Sequence, residues 1–125
     1  MQISASHDEA LAAAFKAVAD PTRVRILATI LAAGELCVCH VEQALGVTQS
    51  RASRHLATLK RAGLVVDRRD GAWVHYAAPR RPGVVARAIL GAVQKAMADD
   101  PATATAAPRA AALRRGAACG AGGAR

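Results

Sequence analysis

The chain has 125 residues, with 17 Lys and Arg against nine Asp and Glu, a formal charge of +8 and a pI near 10.7. That size fits one domain, and the basic balance selects a polyanionic partner, nucleic acid before membrane, because no apolar run approaches the roughly 18 residues a span needs. The opening MQISASHDEALAAAFKAVAD lacks a basic segment followed by an apolar run and cleavage site, and three cysteines are too odd a number for a disulfide framework, so a cytoplasmic chain with reduced thiols is expected.

Leu11, Phe15 and Val18 recur at helical spacing, which predicts a first helix over residues 8–19, closed by Asp20-Pro21-Thr22. Val24, Leu27, Ile30 and Leu31 give a second helix, residues 22–33, one apolar face that Gly34 ends. A short helix over 38–45, a Gly46-Val47 turn and a longer helix from Thr48 to Ala62 follow, with Thr48 as N-cap. Two helices joined by a short turn containing Gly form the helix-turn-helix pattern.

Over residues 64–76, LVVDRRDGAWVHY, the period changes. Asp70-Gly71 predicts a two-residue hairpin turn that pairs Arg69 with Ala72, Asp67 with Val74 and Val65 with Tyr76. After the break at Pro79 to Pro82, Val85, Ile89, Ala92 and Ala96 line a final helix over 84–98 suited to an interface. The composition then shifts to Ala, Gly and Arg, and residues 99–125 are expected to be a flexible basic tail carrying Cys119. The expected fold class is mainly α with a small β-hairpin, a winged helix-turn-helix in residues 1–98. Large apolar side chains are scarce, with one each of Phe, Trp and Tyr, so a homodimer is expected to complete the core.

The second helix of the pair is the expected reader of a DNA major groove. Gln49, Ser50 and Ser53 lie near its start, where base edges are met, and Arg51 and Arg54 are long cations suited to phosphates, as is Lys60. His55 lies oblique to the apolar stripe of Leu56 and Leu59 and is grouped with the DNA-facing residues. Arg68 and Arg69 grip backbone or minor groove from the wing. A two-fold dimer places its readers about 34 Å apart and prefers an inverted-repeat operator. No Gly-rich phosphate loop, paired carboxylates or Ser/His/Asp arrangement occurs in the sequence, so no enzyme is expected.

Residues 35–40, ELCVCH, set two thiols one residue apart. On a regular helix such positions point to nearly opposite sides, so both cannot hide in one core. A helix N-terminus there would also lower a thiol pKa.

FKAVADPTRVRIL (15–27) and the ELCVC, SRHL and DRRDGAWVHY elements within 35–76, with the helix after them, resemble the ArsR/SmtB family of metal-sensing repressors, in its arsenical-resistance branch. The resemblance covers residues 10–98. It implies a winged helix-turn-helix homodimer, paired through its first and last helices, that blocks transcription until arsenite or antimonite binds thiolates. Relatives with a C-x-C-x-x-C site have a third thiol where this chain has Glu42, so the resemblance carries over Cys37 and Cys39 alone, and His40 replaces an acidic residue.

Trivalent arsenic and antimony are soft and favour three sulfurs, which leaves a place for Cys119, exogenous thiol or hydroxide. A tail of about 20 residues reaches roughly 65–70 Å when extended, enough for Cys119 to meet either protomer's pair. Gathering Cys37 and Cys39 on one ion is expected to unwind the first turn of the helix beneath the reader. The rival readings are a cadmium, lead or zinc sensor of the same family and a nonspecific basic DNA-binding protein. The first 36 residues contain no Cys and residues 84–98 no His, which disfavours the former.

Overall fold

The computed structural model describes residues 6–105, so Cys119 and most of the expected tail lie outside the described residues. Helix α1, His7–Ala17, starts at Ser6, whose amide donates to Glu9 Oε1 at 3.3 Å in a capping box. Helix α2, Pro21–Ala33, has Pro at its first position, where the missing N–H costs nothing, and Asp20 as its cap. The Arg23 amide donates to the Asp20 carboxylate at 3.0 Å and holds that acid below its ordinary pKa. Gly34 closes α2 with φ of 100°, in a region that favours glycine.

Strand β1, Glu35–Cys37, leads directly into α3, Val38–Leu45, and α4 spans Gln49–Arg61. Between the two helices Gly46 takes φ of 70°, the left-handed turn that ends α3, and Thr48 Oγ1 accepts the Arg51 amide at 3.3 Å to cap α4. Strands β2, Val66–Asp70, and β3, Trp73–Ala77, form the hairpin, and α5 spans Val84–Met97. The sheet is antiparallel in the order β1-β3-β2.

The core gathers around α2. Ile26, Leu27 and Ile30 meet Leu36 of β1, Val41 of α3, Leu56 and Leu59 of α4, and Leu64 and Val65 before the wing, all essentially inaccessible. Ile89, Leu90 and Val93 of α5 and Ala14 and Ala17 of α1 complete it. Alanine on α1 lets that helix lie close with little buried volume.

The helices agree with the sequence reading to within two residues at their ends, and three features differ. The hairpin pairs Asp70 with Trp73 and Asp67 with Tyr76, so its loop is Gly71-Ala72, with Gly71 at φ of 64° in the first loop position. The shift of two residues keeps every side chain on its expected face, because sheet faces alternate with period two. The wing also has a third strand, β1, which three residues of ELCVCH supply. Finally, residues 101–105 are helical, and Asp100 anchors them: its carboxylate meets Arg25 Nη1 at 2.8 Å and accepts the Thr103 amide at 2.9 Å. The expected flexible segment therefore does not begin at residue 99.

Candidate nucleic-acid interface and thiol site

Helix α4 divides cleanly. Ala52, Leu56 and Leu59 face the core, while Gln49, Ser50, Arg51, Ser53 and Arg54 are all exposed along the opposite side. The Thr48 cap at the start of α4 stabilises the turn that presents Gln49 and Ser50. Five of the sequence-predicted reading residues thus share one accessible surface.

His55 is set differently. It is half-buried, and Arg23 Nη1 lies 3.3 Å from its Nδ1. Arg donates and never accepts, so Nδ1 is the acceptor and the neutral ring carries its proton on Nε2. The same guanidinium donates through Nε to the Ala17 carbonyl, bracing the end of α1 against α4. Nothing in the sequence marks Arg23, because one cation in FKAVADPTRVRIL looks like any solvated residue. Burial, then the charges of Arg23, Arg51 and Arg54, hold His55 below its ordinary 6.5, opposed by Asp20. Below that value the unfolded chain binds the proton the folded chain resists, so stability falls as pH drops through 6.5 and is complete above it. Thermal melts on either side of that pH should show the loss in the wild type and a smaller one in His55→Gln.

Arg68 and Arg69 lie on β2, whose residues are all exposed. Arg69 is placed as expected, but Arg68 forks onto Glu35, with Nε to Oε2 at 3.1 Å and Nη2 to Oε1 at 2.8 Å. Glu35 raises the Arg68 pKa in turn. Lys60, expected at phosphates, bonds Asp67 at 2.9 Å and ties the end of α4 to the wing. That contact lowers the Asp67 pKa and raises that of Lys60. Among the described residues, Arg51, Arg54 and Arg69 are exposed cations that form no ion pair with an acid.

At the thiols the geometry departs from the helical expectation. Cys37 is the N-cap of α3, with extended backbone at φ −90° and ψ 169°, and Cys39 lies in the first helical turn. Leaving the helix at Cys37 swings its side chain round, and the two Sγ atoms converge to 3.6 Å. Metal–sulfur bonds of about 2.3 Å at angles near 90–110° place two sulfurs on one ion roughly 3.3–3.8 Å apart. The 3.6 Å separation matches that bite, so the two side chains are placed to share one ion once both sulfurs are thiolates, without unwinding a helix turn.

His40 completes the cap. Its Nδ1 lies 3.4 Å from the Cys37 amide, which donates to it, and 3.3 Å from Cys37 Sγ. It does the work of the Glu or Gln of an ordinary capping box, which accounts for a histidine at a position where the resemblance has an acid. Cys37 is 3% exposed, and this burial raises its thiol pKa despite backbone N–H groups of His40 and Cys39 that pull the other way. Desolvation outweighs the helix-terminus effect expected from sequence. Cys119 lies outside the described residues, and among the described residues no group of three or more His, Cys, Asp or Glu is gathered for a metal ion.

A helical pair joined by a Gly turn, an exposed polar reader and a three-stranded wing define a winged helix-turn-helix protein. Residues 20–66 match the family described as "Bacterial regulatory protein, arsR family". The chain is 52% identical over 62 residues to the arsenic resistance transcriptional regulator ArsR1 of Pseudomonas putida, covering 50% of this chain and 48% of the relative. It is 46% identical over 76 residues to the arsenical resistance operon repressor of Escherichia coli, covering 60% and 65%. The chain thus spans about half to two thirds of the length of these curated relatives. The solution structure of a homodimeric winged helix-turn-helix DNA-binding domain from Mycobacterium bovis, a possible ArsR-family regulator, matches with a TM-score of 0.60. It is 28% identical, over 81% of this chain and 94% of that one. The protein belongs to the arsR family of bacterial transcriptional regulators.

Proposed function

We propose that the chain is a cytoplasmic, homodimeric repressor of a metalloid-resistance operon, released from an inverted-repeat operator when trivalent arsenic or antimony is held on Cys37 and Cys39. The observation that carries this reading is the 3.6 Å separation of the two sulfurs, the bite of a single soft ion. The arsenic-resistance regulators among its relatives support the same ligand class. Bound there, a trivalent ion supplies a soft centre that takes up a third sulfur, for which Cys119 is the chain's remaining candidate. Gln49, Ser50 and Ser53 read bases, Arg51, Arg54 and Arg69 hold phosphates, and His55 supports the reader through Arg23. Exposed Leu11 and Phe15 on α1 and Val84 on α5 supply an apolar surface for a second copy on the two helices the family resemblance pairs. No described helix is long and apolar enough to cross a membrane.

The test is release of a fluorescent operator duplex titrated with arsenite, antimonite and cadmium, on wild type and on Cys119→Ser. Arsenite and antimonite should release DNA at lower concentration than cadmium, and the Cys119→Ser response should weaken. Cadmium acting first would instead support the cadmium- and lead-sensing reading. Equal responses of the two proteins would remove Cys119 from the site.

A further inference from the structure

Cys37 Sγ lies 3.3 Å from His40 Nδ1, a contact that a bond to an ion would replace, and β1 offers that change a route out of the site. This strand ends in Cys37 and is also an outer strand of the wing, pairing Glu35 with Ala77, Leu36 with Tyr76 and Cys37 with His75. On the far side of β3, His75 pairs with Arg68, so Cys37, His75 and Arg68 form one row across all three strands. Cross-strand partners share a face and touch, so a displacement at Cys37 is felt along that row. Its middle member, His75, has a buried Nδ1 with no hydrogen-bond partner among the described residues, so no hydrogen bond on that atom holds the ring against such a shift.

The second link is the fork between Glu35 and Arg68, which bridges the two outer strands over β3. Ala77 stands opposite Glu35 and is small enough to leave the passage open. Leu36, between Glu35 and Cys37, is wholly buried and points to the other face. It acts as a fulcrum: the residues on either side share the outer face, so tilting the strand at Cys37 moves Glu35 as well.

We infer that the wing is a direct output of the thiol pair, with Glu35 as the positioning residue that couples β1 to Arg68. This rests on the metalloid reading of Cys37 and Cys39. In the free protein the Glu35 carboxylate holds Arg68 in place. Loading replaces the contact between Cys37 Sγ and His40 Nδ1 with a bond to the ion, which shifts the strand end, and the fork carries that shift to β2 and the wing tip. Two-toothed carboxylate–guanidinium pairs fix orientation as well as distance, which suits them to pass on a tilt.

Trp73, the chain's single tryptophan, pairs with Asp70 beside the hairpin loop and reports on the wing tip. The experiment titrates DNA-free protein with arsenite, following thiolate–arsenic absorption and Trp73 emission together in wild type, Cys37→Ser, Glu35→Gln, Arg68→Gln and the exchanged Glu35→Arg, Arg68→Glu pair. The absorption should be equal in all but Cys37→Ser. The Trp73 response should fall about fivefold in each single charge variant and return in the exchanged pair. A full Trp73 response in Glu35→Gln and Arg68→Gln, with absorption intact, would overturn the inference and leave the metalloid reading standing. An exchanged pair that fails to restore it would do the same. Absorption missing in the wild type, or undiminished in Cys37→Ser, would sink the metalloid reading and this coupling with it.

Discussion

A Cys37→Ser, Cys39→Ser double variant is expected to bind operator DNA as tightly as the wild type and to stay bound when arsenite is added. The first half follows from position: neither sulfur lies on the exposed face of α4, and serine preserves the cap at residue 37, since its hydroxyl accepts a backbone N–H at least as well as a thiol. The second half follows from chemistry, because hydroxyls are poor ligands for a soft trivalent ion. A hundredfold loss of DNA affinity on induction corresponds to about 2.8 kcal/mol of coupling, and removing both ligands removes all of it. Single variants should keep part of the response if another sulfur completes the shell. Release of the double variant at the wild-type arsenite concentration would place the ligand elsewhere. Weakened DNA binding before any arsenite is added would mean that the Cys37–His40 cap also supports the reader.

The helices were legible because their signals are local: Pro21, Gly34, Gly46 and Gly63 mark ends, and the apolar spacing between them is regular. The exposed reading face was legible for the same reason, since Ala52, Leu56 and Leu59 leave only one side of α4 for polar residues. What the sequence concealed depends on long-range partners. Three residues are too short a run to announce a strand, so β1 was hidden within a helix start, and with it the reason the thiols converge. The Glu35–Arg68 fork joins residues 33 apart in the chain and the Arg23–His55 contact residues 32 apart. Nothing in composition or period marks either. The hairpin register was missed because Asp-Gly and Gly-Ala are both workable two-residue loops, and pairing with β1 bears on which strand residues stay in the sheet.

One consequence concerns charge. A +8 chain suggests cations everywhere, yet Lys60 and Arg68 are each held by a carboxylate on the folded surface. These pairs fix the relation among α4, the wing and β1. The pairs thus keep the wing attached to α4 and β1, and on the proposed reading the electrostatic grip falls mainly to α4.

That division can be measured by salt titration. Neutralising Arg51 and Arg54 together, as Arg51→Gln and Arg54→Gln, should lower the slope of log K against log salt by about 1.8 per protomer if each meets one phosphate. Affinity should fall for operator and random duplexes alike, because phosphate contacts carry no sequence information. Lys60→Gln should change the slope by less, since its ammonium is already occupied by Asp67 at 2.9 Å and would have to give up that partner to reach DNA. Gln49→Ala should behave in the opposite way, with an unchanged slope and a loss of about 1–3 kcal/mol confined to operators bearing the base it reads. If Lys60→Gln changed the slope as much as either arginine variant, the ion pair to Asp67 would not survive on DNA, and the wing would have to come away from α4 as the complex forms.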